Sequence, residues 1–294
     1  MAREEDWSTA LMDVLRKELD RAVTLMGVTP VGGGSINDAY RMETSAGKYF
    51  VKLNSMDRYP SMFAAEADGL QRLRDTGSVR VPNVLAVGEL PSHTYLLLEH
   101  IDATTPTLAF WKRCGHALAR MHRHTDMLFG LDRDNYIGSM KQVNTPATEW
   151  SAFFIHHRLE PQLKHARDHG KVEAGMAFRF ERLFARLEGL FPREVPALLH
   201  GDLWSGNLLC DDRQQPVLID PAVYHGHREM DIAMTRLFGG VDDEFTRAYN
   251  DEWPMEPGWE ERQDVCNLYP LLVHVNLFGG SYARQVESIL RRFT

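Results

Sequence analysis

Apolar residues in the first hundred positions follow two spacings, and each spacing predicts a different kind of element. The chain opens with an amphipathic helix, predicted by apolar residues three to four positions apart: Leu11, Val14, Leu15 and Leu19. Short apolar runs predict strands on both sides of the glycines in segment 31–40, and at residues 49–53, 84–87 and 95–98. A second helix is predicted from about Ser61 to near Gly77, with these residues facing inward: Phe63, Ala67, Leu70 and Leu73.

From about Leu108 onward the spacing of apolar residues is mainly helical, with one interruption. Two apolar runs, residues 208–210 and 217–219, flank a polar segment, which is the pattern of a β-hairpin. The sequence contains no internal repeat or low-complexity segment. We therefore expect an α+β protein with an N-terminal lobe built on an antiparallel sheet, residues 1–101, and a mainly helical C-terminal lobe, residues 102–294.

Composition is that of a soluble globular protein. Of the 294 residues, 44% are hydrophobic and 25% are charged, and no apolar run approaches the roughly 18 residues of a membrane helix. The first residues are acidic and lack the apolar core of a secretory signal. The chain has three widely spaced cysteines, Cys114, Cys210 and Cys266, which favour reduced thiols over a disulfide framework. These features together predict a cytoplasmic protein.

Charge and histidine spacing argue against two further classes of protein. The net charge of −8 disfavours nucleic acid as a partner. The histidine pairs His122 and His124, and His225 and His227, lack the companion ligands of a zinc site. Their expected roles are therefore structural.

The predicted hairpin carries the most informative polar residues of the chain. Antiparallel pairing brings the residue entering its first strand, Asn207, beside the residue leaving its second, Asp220. Asp202 lies five residues before Asn207, on the loop that leads into the same hairpin. Carboxylate and amide oxygens suit Mg²⁺, which also binds substrate phosphates. This layout is that of a kinase catalytic loop, Asp-x-x-x-x-Asn, followed by a metal-binding Asp.

The alternative interpretation is an ordinary surface hairpin with a polar end, because Asp, Asn and Gly are common in turns. The joint pattern is much harder to obtain by chance. It combines His-Gly-Asp at residues 200–202, the Asn, a strand pair, and Asp-Pro at residues 220–221. We therefore interpret the hairpin as catalytic.

The N-terminal lobe offers matching candidates for nucleotide binding. Lys52 follows the glycine turn by one strand, and Glu66 falls at the border of the inward face of the second helix. Such a pair aims an ammonium group at nucleotide phosphates. Glycines allow the backbone to approach phosphate oxygens closely, and the glycine turn has four candidate residues: Gly32, Gly33, Gly34 and Ser35. Glu99 and Ile101, where the lobes join, are expected to meet the adenine with exposed backbone.

The segment after Asp220 separates two classes of kinase. A protein kinase has a long activation segment after its metal-binding Asp, with an Ala-Pro-Glu landmark. Here only ten residues lie between Asp220 and Asp231, and a helix is already predicted to begin at Glu229. The phosphate acceptor is therefore expected to be a small molecule, held by the helical segment between Glu99 and His200.

These motifs resemble those of fructosamine kinases, also called ketosamine-3-kinases, within the aminoglycoside-phosphotransferase-like group of kinases. The resemblance covers nearly the whole chain, and its shared motifs are residues 32–37, 200–207 and 220–231. Narrower signals inside the group are residues 129–138, 150–154, 158–162 and 203–207. Many relatives carry Cys where this chain has Ser35, so redox control at the nucleotide loop is not expected.

The resemblance implies a bilobal protein-kinase-like fold and an enzyme that uses ATP and Mg²⁺ to phosphorylate the sugar 3-hydroxyl of ketosamines. The substrate would be a small-molecule or protein-bound adduct of a sugar with an amine, and the modified adduct would fall off, which amounts to deglycation.

Phosphoryl transfer needs positioning and charge neutralisation, and this requirement suggests a role for each residue. Asp202 is expected to orient the attacking hydroxyl, with Asn207 and Asp220 as metal ligands. Four aromatic residues are candidates to pack on a sugar or amine: Trp150, Phe153, Phe154 and Trp204. Core packing is expected instead for the two phenylalanines, and Trp204 is the better candidate for substrate contact. His200 and Asp231 are expected to brace the catalytic loop through backbone groups.

Two alternatives remain open from the sequence. The first is a kinase of another amino-alcohol or of an aminoglycoside, against which the Asn-Tyr-Ile-Gly stretch at residues 135–138 argues. The second is a non-catalytic nucleotide-binding module. It is disfavoured because the four expected charged and amide groups are all present: Lys52, Asp202, Asn207 and Asp220.

Overall fold

A five-stranded antiparallel sheet and a mainly helical region make up the structure, a computed structural model that describes residues 2–32, 36–91, 93–173 and 175–293. Its strands are β1 (Leu25–Pro30), β2 (Asp38–Thr44), β3 (Gly47–Ser55), β4 (Val84–Glu89), β5 (His93–Glu99), β6 (Asn135–Ile137), β7 (Met140–Gln142), β8 (Ala197–Leu199), β9 (Leu208–Cys210), β10 (Pro216–Leu218) and β11 (Tyr224–Gly226). Its helices are α1 (Ala2–Leu19), α2 (Met62–Asp75), α3 (Leu108–His122), α4 (Trp150–Phe154), α5 (Glu160–Asp168), α6 (Gly175–Leu190), α7 (Glu229–Leu237), α8 (Asp243–Glu252), α9 (Trp259–Phe278) and α10 (Ser281–Phe293).

The N-terminal sheet has the strand order β1-β2-β3-β5-β4, with antiparallel neighbours throughout. Helix α1 buries Leu11 and Leu15 in one cluster with Val51 and Leu53 of β3. Because side chains alternate along a strand, Lys52 lies on the opposite face of β3. The apolar pattern of β3 therefore fixes the direction of its single buried lysine.

Helix α2 packs on the other side of the sheet. Its residues Phe63, Leu70 and Leu73 are buried in the main hydrophobic cluster together with Leu96 and Leu98 of β5. The predicted inward face of this helix is confirmed for these three residues. Glu66 lies one turn before Leu70, on the side of the helix that borders Lys52.

In the rest of the chain, helices surround short strand pairs. Helices α3 and α8 pack against each other, and α9 packs against α7 and α10. Phe153 and Phe154 are buried in the core, as expected, and Trp150, a candidate for packing on the substrate, is buried there as well. Strands β9 and β10 form the predicted hairpin, with Leu208 opposite Leu218. Two further pairs, β8 with β11 and β6 with β7, were not predicted.

The α+β class predicted from the sequence is confirmed. No helix in the described ranges is long and apolar enough to span a membrane. The lobe boundary after Ile101 stays a prediction.

Candidate active site

The hairpin brings together the three polar residues that the sequence singled out. Ile219 N–H donates to the Asn207 carbonyl at 3.1 Å, so the residues entering and leaving the hairpin are adjacent. The Asn207 side-chain Nδ2 donates to the Asp202 carbonyl at 2.8 Å and to Asp202 Oδ2 at 3.0 Å. With its amide nitrogen occupied in this way, Asn207 keeps its oxygen Oδ1 for a metal ion.

Lys52 links the N-terminal sheet to the hairpin. Its Nζ lies 2.6 Å from Glu66 Oε1 and 2.7 Å from Asp220 Oδ1. Burial opposes the charge of Lys52, but the Asp220 and Glu66 carboxylates outweigh burial and raise its pKa above the usual value. The lysine therefore stays charged, and it is held between Glu66 of helix α2 and Asp220 after strand β10.

Asp202 has the environment of a general base. Burial, followed by the nearby Asp220 carboxylate, raises the pKa of Asp202 to about 7, against the hydrogen bond from Asn207. A base whose pKa lies near the working pH combines the ionised form with a useful proton affinity. An exposed aspartate in a turn lacks both influences, burial and a neighbouring carboxylate, so its pKa is not raised in this way.

A second set of groups holds the catalytic loop in place. Asp231 Oδ2 accepts from His200 N–H at 2.7 Å, and Oδ1 accepts from Gly201 N–H at 2.9 Å. His200 Nε2 donates to the Ile219 carbonyl at 2.9 Å. Burial lowers the pKa of His200, which favours the neutral ring whose Nδ1 accepts from Asp202 N–H at 3.3 Å. The expected bracing contacts of His200 and Asp231 are thus present.

Gly201 shows why the loop needs glycine at this position. Its φ is +83°, in the left-handed region, and a Cβ atom there would lie 2.1 Å from the Ala222 carbonyl oxygen. The catalytic loop and the segment after Asp220 therefore pack backbone against backbone.

A cavity of about 220 Å³ joins these groups. The five predicted residues that line it are Lys52, Glu66, Asp202, Asn207 and Asp220. Trp204 also lines it and is 37% exposed, with its indole ring so close to Gly206 that a Cβ there would lie 2.3 Å away. A flat aromatic wall beside a general base is suited to a sugar or amine.

The residues predicted to contact adenine do not share this cavity with Lys52 and the predicted metal ligands. Glu99 and Ile101 do not line this cavity. The Glu99 carboxylate accepts from Asn83 N–H at 3.1 Å and from Arg80, and its own N–H donates to the Asn83 carbonyl at 2.9 Å. Gly33, Gly34 and Ser35 lie outside the described residues, and Gly32 is not a lining residue.

The structure adds cavity residues that the sequence argument used only as family signals. Asn135, Tyr136, Ile137 and Gly138 form one wall of the cavity. Tyr136 OH donates to the Pro60 carbonyl at 3.1 Å, just before helix α2. The sequence contains no apolar run that predicts this wall, because strands β6 and β7 are short segments of mixed polarity, Asn-Tyr-Ile and Met-Lys-Gln.

Within the described ranges, no cluster of three or more His, Cys, Asp or Glu side chains is placed to hold a metal ion. Mg²⁺ commonly binds through one or two protein oxygens, with waters and substrate phosphates completing its shell. The Asp220 carboxylate and the Asn207 amide oxygen fit such a partial shell.

The chain is similar to known proteins over nearly its full length. The fructosamine kinase family model matches residues 7–294. A protein of Enterococcus faecium designated a probable ketoamine kinase is 40% identical over 268 residues, covering 90% of this chain and 95% of that protein. The chloroplastic protein-ribulosamine 3-kinase of Arabidopsis thaliana is 39% identical over 275 residues, covering 92% of this chain and 83% of that protein.

Solved structures show the same relationship. The crystal structure of a Thermobifida fusca protein designated a fructosamine-3-kinase has a TM-score of 0.84 and 37% identity, covering 92% of this chain and 93% of that chain. An aminoglycoside phosphotransferase has a TM-score of 0.64 at 19% identity, covering 97% and 98% of the two chains. The second likeness shows the fold alone, and it confirms the predicted bilobal kinase-like architecture.

Proposed function

This chain belongs to the fructosamine kinase family, and we propose that it is an ATP-dependent phosphotransferase acting on the sugar 3-hydroxyl of ketosamines. One observation carries the proposal. A half-buried carboxylate with a pKa of about 7, Asp202, lies in one cavity with a fixed lysine and two oxygen ligands suited to Mg²⁺.

In the proposed reaction the sugar hydroxyl attacks the γ-phosphorus of ATP, the bond from phosphorus to the ADP oxygen breaks, and the hydroxyl proton passes to Asp202. Asn207 and Asp220 would hold Mg²⁺, which neutralises charge on the phosphates when bound. Lys52, held by Glu66, supplies a fixed positive charge for the same phosphates. Trp204 would pack against the substrate beside Asp202.

The proposed substrates are ribulosamine, erythrulosamine or fructosamine adducts, either free or on a protein. Phosphorylation at the 3-hydroxyl would make the adduct unstable, so the proposed role is deglycation in the cytoplasm. The name of the plant relative, a protein-ribulosamine 3-kinase, supports both the acceptor position and the protein-bound form.

An ATP-consumption screen tests this proposal. Ribulosyl-, erythrulosyl- and fructosyl-lysine are offered beside choline and kanamycin, with the Asp202→Asn variant as the blank for each compound. We expect a ketosamine to be turned over far faster than choline or kanamycin. Preferential turnover of kanamycin would instead establish an aminoglycoside kinase, the second candidate that the shared fold allows.

A further inference from the structure

The backbone at Asp220 has an uncommon conformation. Its φ is +55°, in the left-handed region that residues other than glycine seldom adopt. Such a conformation persists when the surrounding contacts determine it, and it is common at functional sites. The contacts of residues 219–223 therefore decide whether the Asp220 carboxylate is presented to the cavity.

The segment is anchored to the catalytic loop on both sides of Asp220. Before it, Ile219 N–H donates to the Asn207 carbonyl at 3.1 Å, and the Ile219 carbonyl accepts from His200 Nε2 at 2.9 Å. After it, Ala222 N–H donates to the His200 carbonyl at 2.9 Å. These contacts leave the carbonyls of Ala222 and Val223 to find other donors.

Two buried side-chain amides supply those donors. Gln142 Nε2 donates to the Ala222 carbonyl at 3.0 Å, and Asn135 Nδ2 donates to the Val223 carbonyl at 2.8 Å. The two amides are joined, since Gln142 Nε2 also donates to Asn135 Oδ1 at 2.8 Å. Gln142 and Asn135 are only 1% and 4% exposed, so water does not compete for these bonds.

Further buried side chains hold both amides in place by hydrogen bonds. Tyr269 OH donates to Gln142 Oε1 at 2.8 Å, and Asn144 Nδ2 donates to Asn135 Oδ1 at 2.9 Å. Asn144 in turn accepts at 2.6 Å from Arg158, whose fully buried guanidinium lies 4.0 Å from the centre of the Tyr224 ring. Arg158 belongs to a π-helical turn, Ile155–Leu159, a feature frequent at functional sites.

We propose that Asn135 and Gln142 are positioning residues that hold the Ala222–Val223 backbone and thereby keep Asp220 in its metal-binding conformation. They replace, in a short loop, the ordering that a protein kinase obtains from its activation segment. The inference rests on the proposed function, because that function makes Asp220 a ligand of Mg²⁺.

The test compares two glutamines that are alike in burial and differ in partner. Gln142→Met removes the donor to the Ala222 carbonyl and keeps the length of the side chain. Gln162→Met is the matched control, since Gln162 is also buried, accepts from Asn276 Nδ2 at 2.7 Å and does not line the cavity. Calorimetry measures how much Mg²⁺ improves the binding of AMP-PNP, a non-hydrolysable ATP analogue, to each variant.

We expect Gln142→Met to lose roughly 10- to 100-fold of the Mg²⁺-dependent gain in affinity, as for other groups that orient a metal ligand. Gln162→Met should keep that gain even where its melting temperature falls equally. Equal gains in the two variants would overturn the inference. If wild type itself gains nothing from Mg²⁺, the proposed function fails instead.

Amide hydrogen exchange tests the clamp without any ligand. Residues 219–223 should exchange faster in Gln142→Met than in wild type and should be unchanged in Gln162→Met. Unchanged exchange in Gln142→Met would refute the clamp whatever the binding data show. If Gln142→Met does not fold, Tyr269→Phe, which removes only the hydroxyl that fixes Gln142, should show a smaller increase at the same residues, and no increase would overturn the proposal.

Discussion

Two neighbouring carboxylates of the cavity have different partners, and the difference separates their proposed roles. Asp202 accepts from the Asn207 amide, whereas Asp220 accepts from the Lys52 ammonium. The partly buried Asp202 carboxylate beside an amide can take a proton, whereas Asp220 is paired directly with a cation. Substitution by the isosteric amide therefore changes a different step at each position.

Asp202→Asn should lower turnover by about 100-fold or more, because it removes the group proposed to accept the hydroxyl proton. Mg²⁺-dependent binding of AMP-PNP should stay nearly intact in this variant. Asp220→Asn should lower turnover and also weaken that binding, since it removes the charge of a metal ligand. Turnover assays and calorimetry on both variants distinguish the two effects.

Asp212→Asn is the matched control, because Asp212 is an exposed residue in the turn of the same hairpin. It should leave both measurements unchanged. Near-normal turnover in both Asp202→Asn and Asp220→Asn would contradict the assignment of the hairpin as catalytic.

The raised pKa of Asp202 also predicts how stability depends on pH. Its pKa is about 7 in the folded, metal-free protein and 3.8 as an ordinary value, so the folded state holds the proton more tightly. The contribution of Asp202 to the free energy of unfolding is therefore greatest at low pH. It is lost as the pH rises from about 4 to about 7, and it changes little above that.

Denaturant unfolding in the presence of EDTA measures this effect. Between pH about 5 and about 8, wild type should lose stability relative to Asp202→Asn, which carries no titrating group at this position. Parallel stability curves for the two proteins would show that the pKa of Asp202 is close to normal.

At the scale of elements, the catalytic hairpin was predictable because its signal is local. Two apolar runs and a polar turn determine β9 and β10, and the pairing itself places Asn207 beside Asp220. Strands β8 and β11 pair with each other across a long stretch of sequence, and β6 and β7 form a short hairpin without an apolar run, so no periodicity reveals these four strands. The burial of Asn135 and Gln142 was not predictable either, because polar residues are ordinarily exposed.

The predicted adenine contacts illustrate a second limit of the sequence. Glu99 was placed correctly at the end of a strand, but its side chain is engaged by Arg80 and its N–H by Asn83. Both partners are 16 or more residues away, and nothing near Glu99 in the sequence indicates them. The role of Glu99 in nucleotide binding stays a prediction.

The packing of α3 on α8 supports the catalytic loop from a distance. His122 at the end of α3 contacts Tyr249 OH of α8 at 2.8 Å and Asp231 Oδ2 at 3.2 Å, and Asp231 holds the loop. The two helices are in tight contact at Gly115, where a Cβ atom would lie 2.2 Å from the Phe245 carbonyl oxygen. Glycine, which has no side chain, is therefore needed at position 115 for helices α3 and α8 to pack this closely.

Gly115→Ala should destabilise the protein by about 1–3 kcal/mol, because a methyl group forces backbone apart in a packed interface. Gly189→Ala is the control. Gly189 lies in helix α6, a Cβ atom there would meet no other part of the described chain within 4 Å, and the variant should gain up to about 1 kcal/mol from helix propensity. Chemical denaturation measures both changes. A stability gain in Gly115→Ala would contradict the close packing of α3 on α8.

At the scale of the whole molecule, helix α2 touches the segment after Asp220 directly. A Cβ on Gly69 would lie 3.3 Å from both Pro221 Cγ and Val223 Cγ2. The same helix carries Glu66, which pairs with Lys52. Protein kinases use phosphorylation of a long segment to bring such groups together, and here close packing does so.

We therefore expect an enzyme that is active as purified, without a phosphorylation step and insensitive to mild oxidation. The ten residues between Asp220 and Asp231 leave no long loop to order, and the chain has serine, not cysteine, at position 35 of the glycine turn. The free cysteines of the structure are buried, and burial raises the pKa of Cys114 and Cys266, which disfavours the reactive thiolate.

Turnover is measured after treatment with peroxide and again after a reducing agent, with intact mass recorded at each stage. We expect unchanged activity and no mass change of a disulfide at either stage, because all three thiols are buried away from the oxidant. A reversible loss of activity with the mass change of a disulfide would contradict this expectation. Cys210 would then be the first residue to substitute by serine, since it lies three residues after Asn207 on strand β9 and its movement would displace the proposed metal ligand.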